Sequence, residues 1–139
     1  MLRNCKVRIH PGASIEDMYY HLGAHILKKP SKILLLSGTN NCTSDRYEDI
    51  IQKMQALREF IQSRLPSCEV FFSTLIKRFD DKYAEKTVNL VNECLRKTET
   101  NYMDNGNIDF SDLGRKGLHT NPRGVGKLVL NIVNWLKSL

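Results

Sequence analysis

Ile33-Leu34-Leu35-Leu36-Ser37-Gly38-Thr39-Asn40-Asn41 is the stretch from which the fold can be read. Ile33 to Leu36 is all apolar, as in a strand covered on both faces, and such strands belong to parallel sheets. The Gly38-Thr39-Asn40 turn ends that strand. In open α/β sheets, ligands and reacting groups collect at the carboxyl ends of the strands. This turn is therefore where function is expected.

Working outward, the flanking segments alternate between helix and strand patterns. Residues 5–10 alternate and read as a short strand, broken by Pro11-Gly12-Ala13. Ser14 with Asp17 predicts a capping box, with a helix from about Ile15 to Lys28 whose apolar face is Ile15, Met18, Tyr19, Leu22 and Ile26. A long helix is predicted from Asp45 to Arg64, stopped by Pro66. Glu69 to Ile76 reads as a strand and Asp81 to Lys97 as a helix. Asn101 to Asp104 reads as a short strand, and Asn105 to Thr120 as a polar loop. The last helix begins with Asn121 as N-cap and Pro122 at the first helical position.

Strands that alternate with helices imply right-handed crossovers, hence a doubly wound parallel sheet with helices on both faces, in one domain over residues 1–139. A hydrophobic content of 41% and a charged content of 26% suit a globular protein. No apolar run is long enough to span a bilayer, and the start lacks a signal-peptide core, so the expected compartment is intracellular and cytoplasmic. Cys5, Cys42, Cys68 and Cys94 form no C-x-x-C pair and read as free thiols. The net charge of +6 concentrates at the ends, in Arg3, Lys6 and Arg8 and in Arg115, Lys116, Arg123, Lys127 and Lys137. Weak contact with nucleic acid or another polyanion is the reading that charge supports.

Four loops lie at the carboxyl ends of the expected strands: Pro11–Ser14, Gly38–Thr43, Lys77–Asp81 and Asn105–Thr120. Gly12 offers a backbone N–H, Asn40 a side-chain amide and His119 an imidazole. Two amides can hold an oxyanion and a histidine can act as general base, which is a layout for acyl transfer. His21 and His25 are four apart on one helix face but have no third ligand in view, so no metal or other cofactor is expected. Gly124-Val125-Gly126-Lys127 lacks full P-loop spacing and reads as close helix packing.

Pro11 to Met18 resembles the second block of SGNH (GDSL-type) hydrolases, and Gly38-Thr39-Asn40-Asn41 resembles their Gly-x-Asn-Asp third block. Lys116-Gly117-Leu118-His119-Thr120-Asn121, with Gly124 beyond, resembles the Asp-x-x-His fifth block and its helix. The blocks occur in the family's order, and the look is that of SGNH domains in marine-animal and retroelement-derived sequences. The resemblance implies a flavodoxin-like three-layer fold and hydrolysis of a small ester by a serine nucleophile. It makes Gly12 and Asn40 the oxyanion donors and His119 the base, with Asn41 and Lys116 in supporting positions.

Three departures shape the expectation. The family's Gly-Asp-Ser block sits on a strand upstream of the second block, and only eleven residues precede Gly12, so the chain reads as missing its first strand and its nucleophile is unknown. Lys116 stands where the family has the Asp that orients the base, and Asn41 replaces the Asp of the third block. Ser14 reads as a helix cap and Ser37 as a strand end, while Asp109 and Asp112 are the nearby acids that would have to replace the lost one. Loss of a triad member lowers rates by roughly 10⁴. The expected protein is thus an esterase-like domain without activity, and the alternative is a non-catalytic module whose basic surface meets a polyanion. The oligomeric state and the acyl and alcohol groups are left open.

Overall fold

In the computed structural model, which describes residues 5–8, 10 and 12–139, Ser14 caps helix α1 (Ile15–Ile26) reciprocally. The Ser14 hydroxyl accepts the Asp17 N–H at 3.2 Å and the Asp17 carboxylate accepts the Ser14 N–H at 2.9 Å. The helix ends two residues before the expected Lys28, and Lys29 turns the chain with φ of 49°. Strand β1 (Lys32–Leu35) follows, then helix α2 (Tyr47–Arg64), strand β2 (Glu69–Phe72), helix α3 (Lys82–Thr98) and helix α4 (Pro122–Lys137). Asp81 caps α3 by accepting the Ala84 N–H at 2.8 Å, and Asn121 caps α4 by accepting the Gly124 N–H at 3.0 Å. Such caps satisfy backbone donors that a helix start leaves unpaired.

β1 and β2 run parallel, with Ile33 opposite Val70 and Leu35 opposite Phe72. A single parallel bridge, Ser73 to Met103, extends the sheet on the far side of β2. Alternation along the strands sends side chains to two cores. Leu35, Val70 and Phe72 join Ile15 and Leu22 of α1, Ile50, Met54, Leu57 and Ile61 of α2, and Val88, Val91 and Leu95 of α3. Each fully buried Val, Leu or Ile in that layer contributes about 1.5–3 kcal/mol by leaving water. On the opposite face Leu34, Phe71 and Met103 meet Trp135, Leu128, Ile132 and Leu136 of α4 or its neighbourhood. Phe71 and Trp135 meet edge to face at 5.1 Å, and the indole N–H donates to Asn101 Oδ1 at 3.1 Å. The result is a parallel sheet between helices on both faces, in three layers.

Three expectations need correction. Residues 5–8 and 10 form no strand, and Ile9 lies outside the described residues. The alternation there is not matched by burial: Cys5 and Val7 are exposed, and His10 stacks on His21 of α1 with ring centroids 3.8 Å apart. The strand expected to reach Ile76 ends at Phe72. Beyond it Asn92, buried in α3, takes over the backbone pairing: it accepts the Leu75 N–H at 2.7 Å and donates to the Leu75 carbonyl at 2.9 Å. The strand expected at Asn101–Asp104 is reduced to the Met103 bridge. Instead of continuing a ladder, Asn105 turns inward, donating to Ser73 Oγ at 2.7 Å and accepting from Asn131 at 2.9 Å.

Candidate active site

Gly38 leaves β1 with φ of +126°, a conformation open to glycine, and a Cβ there would sit 3.1 Å from Met54 Cε. The chain then closes a 3₁₀ turn, Asn40–Thr43, in which the Asn41 N–H donates to the Gly38 carbonyl at 3.1 Å. This turn leaves the Asn40 amide outside and Asn41 buried. Asn40 Nδ2 donates to the Ala13 carbonyl at 3.3 Å, so the side chain lies beside the Gly12 loop. Gly12 itself has φ of +75°, and nothing crowds the position a Cβ would take. The two expected oxyanion donors thus come from adjoining loops.

Asn41 explains why those loops adjoin. Its Oδ1 accepts the Ile15 N–H at 3.0 Å, and its Nδ2 donates to Glu16 at 2.7 Å and to Asp45 at 2.9 Å. Lys53 of α2 completes the cluster, 2.7 Å from Asp45 and 3.1 Å from Glu16. The Asn41 bond holds Glu16 below the usual carboxylate range, and Lys53 does the same for Asp45. An asparagine is the residue that fits here, because it must both accept from a helix N–H and donate to two carboxylates.

His119 lies in the fourth loop and is exposed. The loop is shaped by the His119 carbonyl accepting the Gly114 N–H at 2.7 Å and by an antiparallel bridge from Leu113 to Thr120. It docks on the loop after β2 through the Phe79 N–H, which donates to the Gly117 carbonyl at 2.8 Å. Gly117 has φ of +65°, and a Cβ would meet that of Phe79 at 2.9 Å, so this contact requires glycine. Lys116 is exposed. Asp109 caps a 3₁₀ turn, Phe110–Asp112, by accepting the Phe110 N–H at 2.8 Å. Asp112 is fully buried, bound by Lys127 at 2.7 Å, Arg123 at 3.1 Å and the Asp109 N–H at 2.8 Å. The Lys127 contact lowers its pKa, and that pairing occupies the acid in supporting the loop. Lys127 is thereby engaged, which accounts for the Gly124–Lys127 segment as packing.

Arg78 and Asp80, in the loop between β2 and α3, were not among the expected site residues. Arg78 is 4% exposed. Its guanidinium grips Asp80 through two bonds of 3.0 and 2.7 Å and donates to the Thr39 carbonyl at 2.9 Å. Asp80 is held below the usual carboxylate range, first by Arg78 and in smaller part by the charge of His119. The signal available in advance was an Arg-x-Asp at the carboxyl end of a buried strand. Ser14 is engaged as a cap, and the Ser37 hydroxyl is buried with no hydrogen-bond partner. Among the described residues no serine hydrogen-bonds to His119, and no group of three ligands could hold a metal ion.

Glu16, Asp45, Asp80 and Asp104 all titrate lower in the folded protein than alone. A carboxylate with a depressed folded pKa contributes stability that is complete above its unfolded value, near ~4, and lost as pH falls through the folded value. Thermal melts are therefore expected to be level from neutral pH to about 5 and to fall steeply below ~4. A melting temperature unchanged down to about pH 3 would contradict these pairings.

No family model matches the sequence, and no curated protein matches it. Solved structures do. A carbohydrate esterase family 3 protein from Talaromyces cellulolyticus superposes with a TM-score of 0.72 at 18% identity, covering 99% of this chain and 78% of that one. A serine-to-alanine mutant of an acetyl esterase, with acetate ion, gives 0.73 at 18% identity over 98% and 76%. The lipase/acylhydrolase from Enterococcus faecalis gives 0.61 at 18% identity over 91% and 70%. The chain has the α/β fold of these esterases and this lipase/acylhydrolase. Among the described residues, no helix is long and apolar enough to cross a membrane.

Proposed function

We propose that the chain is an esterase-like domain whose cleft retains groups that receive an acyl carbonyl but does not turn esters over. The observation that carries this reading is the contact between Asn40 and Ala13, which sets a side-chain amide beside the Gly12 backbone. Donors placed in this way fit the oxygen of a small acyl group, and they stabilise it most when it becomes an oxyanion. The loop that carries His119 is tied through Phe79 to the loop after β2, whose Arg78 bonds to Thr39 beside Asn40, and this supports the imidazole as the third member of the set. The parent reaction would be hydrolysis of an acetyl or short-acyl ester. Structural neighbours described as a carbohydrate esterase and an acetyl esterase support that class.

Turnover needs more than donors and a base. An attacking hydroxyl must lie within hydrogen-bond reach of the imidazole, and a carboxylate must orient the ring. Ser14 and Ser37 have other surroundings, Lys116 replaces the orienting acid, and Asp109 and Asp112 are engaged elsewhere. Wild type and His119→Ala are expected to hydrolyse p-nitrophenyl acetate at rates equal within about twofold, since no step runs through the imidazole. A rate that drops about tenfold or more on His119→Ala would sink the inactive reading and reveal a nucleophile at the cleft.

A further inference from the structure

We propose that this chain pairs with a second copy of itself through the open edge of β1 and the flank of α4 that overhangs that edge. The interface does not depend on what the cleft binds.

β1 is paired on one side. The Ser31 and Leu35 carbonyls accept the Glu69 and Ser73 N–H groups at 3.0 and 2.9 Å. A parallel ladder uses alternate residues, so 31, 33 and 35 face β2, and the N–H and C=O groups of Lys32, Leu34 and Leu36 face away from it. Among the described residues, none hydrogen-bonds to those outward groups. Such a row of unmet backbone groups is a template for another strand.

α4 leaves apolar surface uncovered above the same edge. One flank of the helix is tied beyond β2, where Asn105 and Asn107 follow the Met103 bridge. There Asn131 donates to Asn105 at 2.9 Å and to Asn107 at 2.8 Å, and Lys127 donates to the Asn107 carbonyl at 3.1 Å. At about 3.6 residues per turn, Val125, Val129, Ile132 and Leu136 fall on the opposite flank, toward β1. Leu34, Ile132 and Leu136 pack against the smaller core and are only half-buried. Val125 is 47% exposed, Val129 54%, and Leu36, at the end of the edge, 40%. The helical part of this stripe runs about 17 Å and carries no charge. Contiguous apolar surface of this kind marks an interaction site.

A second copy fits this edge because the pairing closes on itself. A twofold axis through Leu34 sets the two β1 strands antiparallel, with Leu34 facing the partner's Leu34 and Lys32 facing the partner's Leu36. Outward donors then meet outward acceptors, and the two α4 stripes come side by side over the joined sheet. Lys32 is the one charged residue of the strand, and Glu69 of its own copy neutralises it at 3.1 Å. No unpaired charge therefore enters the interface, and neither copy keeps an open β1 edge.

Sedimentation equilibrium of the intact chain tests this, in about 0.15 M salt to screen the +6 charge of each copy. The weight-average mass is expected to rise from 16.0 kDa toward twice that value between about 1 and 100 µM. The twofold register makes charge at position 36 diagnostic. Leu36→Lys faces the partner's Lys32 and should weaken the dimer about tenfold or more, whereas Leu36→Glu faces the same lysine and should hold it within about threefold of wild type or tighter. Val129→Lys, on α4, should weaken it about tenfold as well. Both positions are exposed, so the far-ultraviolet ellipticity of each variant is expected to match wild type. A mass of 16.0 kDa at every concentration overturns the proposal. So does a dimer that Leu36→Lys and Val129→Lys leave intact, since another face would then hold it. Equal weakening by Leu36→Lys and Leu36→Glu also overturns it, because Lys32 would not lie opposite Leu36.

Discussion

Gly124→Ala is expected to destabilise the protein by about 2–4 kcal/mol, although alanine is the better helix former by about 1 kcal/mol. Gly124 lies in the first turn of α4, where the helix passes directly over the loop that carries His119. A Cβ there would fall inside the contact distance of the Asp112 carbonyl oxygen and 3.0 Å from Thr120 Cβ. The Asp112 carbonyl is not free to retreat, because it accepts the Asn121 N–H at 2.9 Å and its own side chain is buried between Lys127 and Arg123. Relief must come from lifting α4 off the loop, which strains the N-cap. Two residues on, Gly126 has nothing within 4 Å of the same atom. Gly126→Ala should therefore stabilise by about 0.5–1 kcal/mol. Chemical denaturation of the two variants checks the claim through opposite signs. Equal effects would mean that the helix does not sit where the structure puts it.

Asn92→Ala should cost about 2–4 kcal/mol, because it strands two buried backbone groups at once. Asn92 is 4% exposed, and both polar atoms of its amide are bound to Leu75. Leu75 is itself 1% exposed and lies just past the end of β2, where no neighbouring strand continues the ladder. Removal of the amide leaves a donor and an acceptor without partners and without water, at about 1–3 kcal/mol each, partly offset by the better helix propensity of alanine. Asn89, one turn earlier on α3 and exposed, is the control. Its alanine variant should stay within about 0.5 kcal/mol of wild type. A denaturation midpoint for Asn92→Ala no lower than that of Asn89→Ala would remove Asn92 from its role.

What could be read in advance were the features written in local chemistry. Ser14 with Asp17, Asn121 with Pro122, and the apolar run at Ile33–Leu36 each carry their structural consequence within a few residues. Gly12, Asn40 and His119 were expected as a set from turn chemistry and loop order; the Asn40–Ala13 bond joins the loops of the first two. Arg78 and Asp80 were not, because an arginine in a polar loop carries no mark of burial; its partners are 39 residues away at Thr39 and two away at Asp80. The same holds for Asn92, whose two bonds span 17 residues. Residues 5–10 misled because alternation predicts a strand only when one face has somewhere to be buried, and Val7 is 64% exposed.

Trp135 is the one tryptophan of the chain, and it sits against Phe71 on the α4 side of the sheet. Its intrinsic emission is consequently a private optical channel for one interface: quenching and spectral position follow whether α4 stays seated, while far-ultraviolet ellipticity averages over α1, α2, α3 and α4 together. Heated or titrated with denaturant, the two signals should trace one curve if both cores melt together. A fluorescence transition that runs ahead of ellipticity would mean that α4 leaves first, uncovering the His119 loop while the α1–α3 layer is still intact.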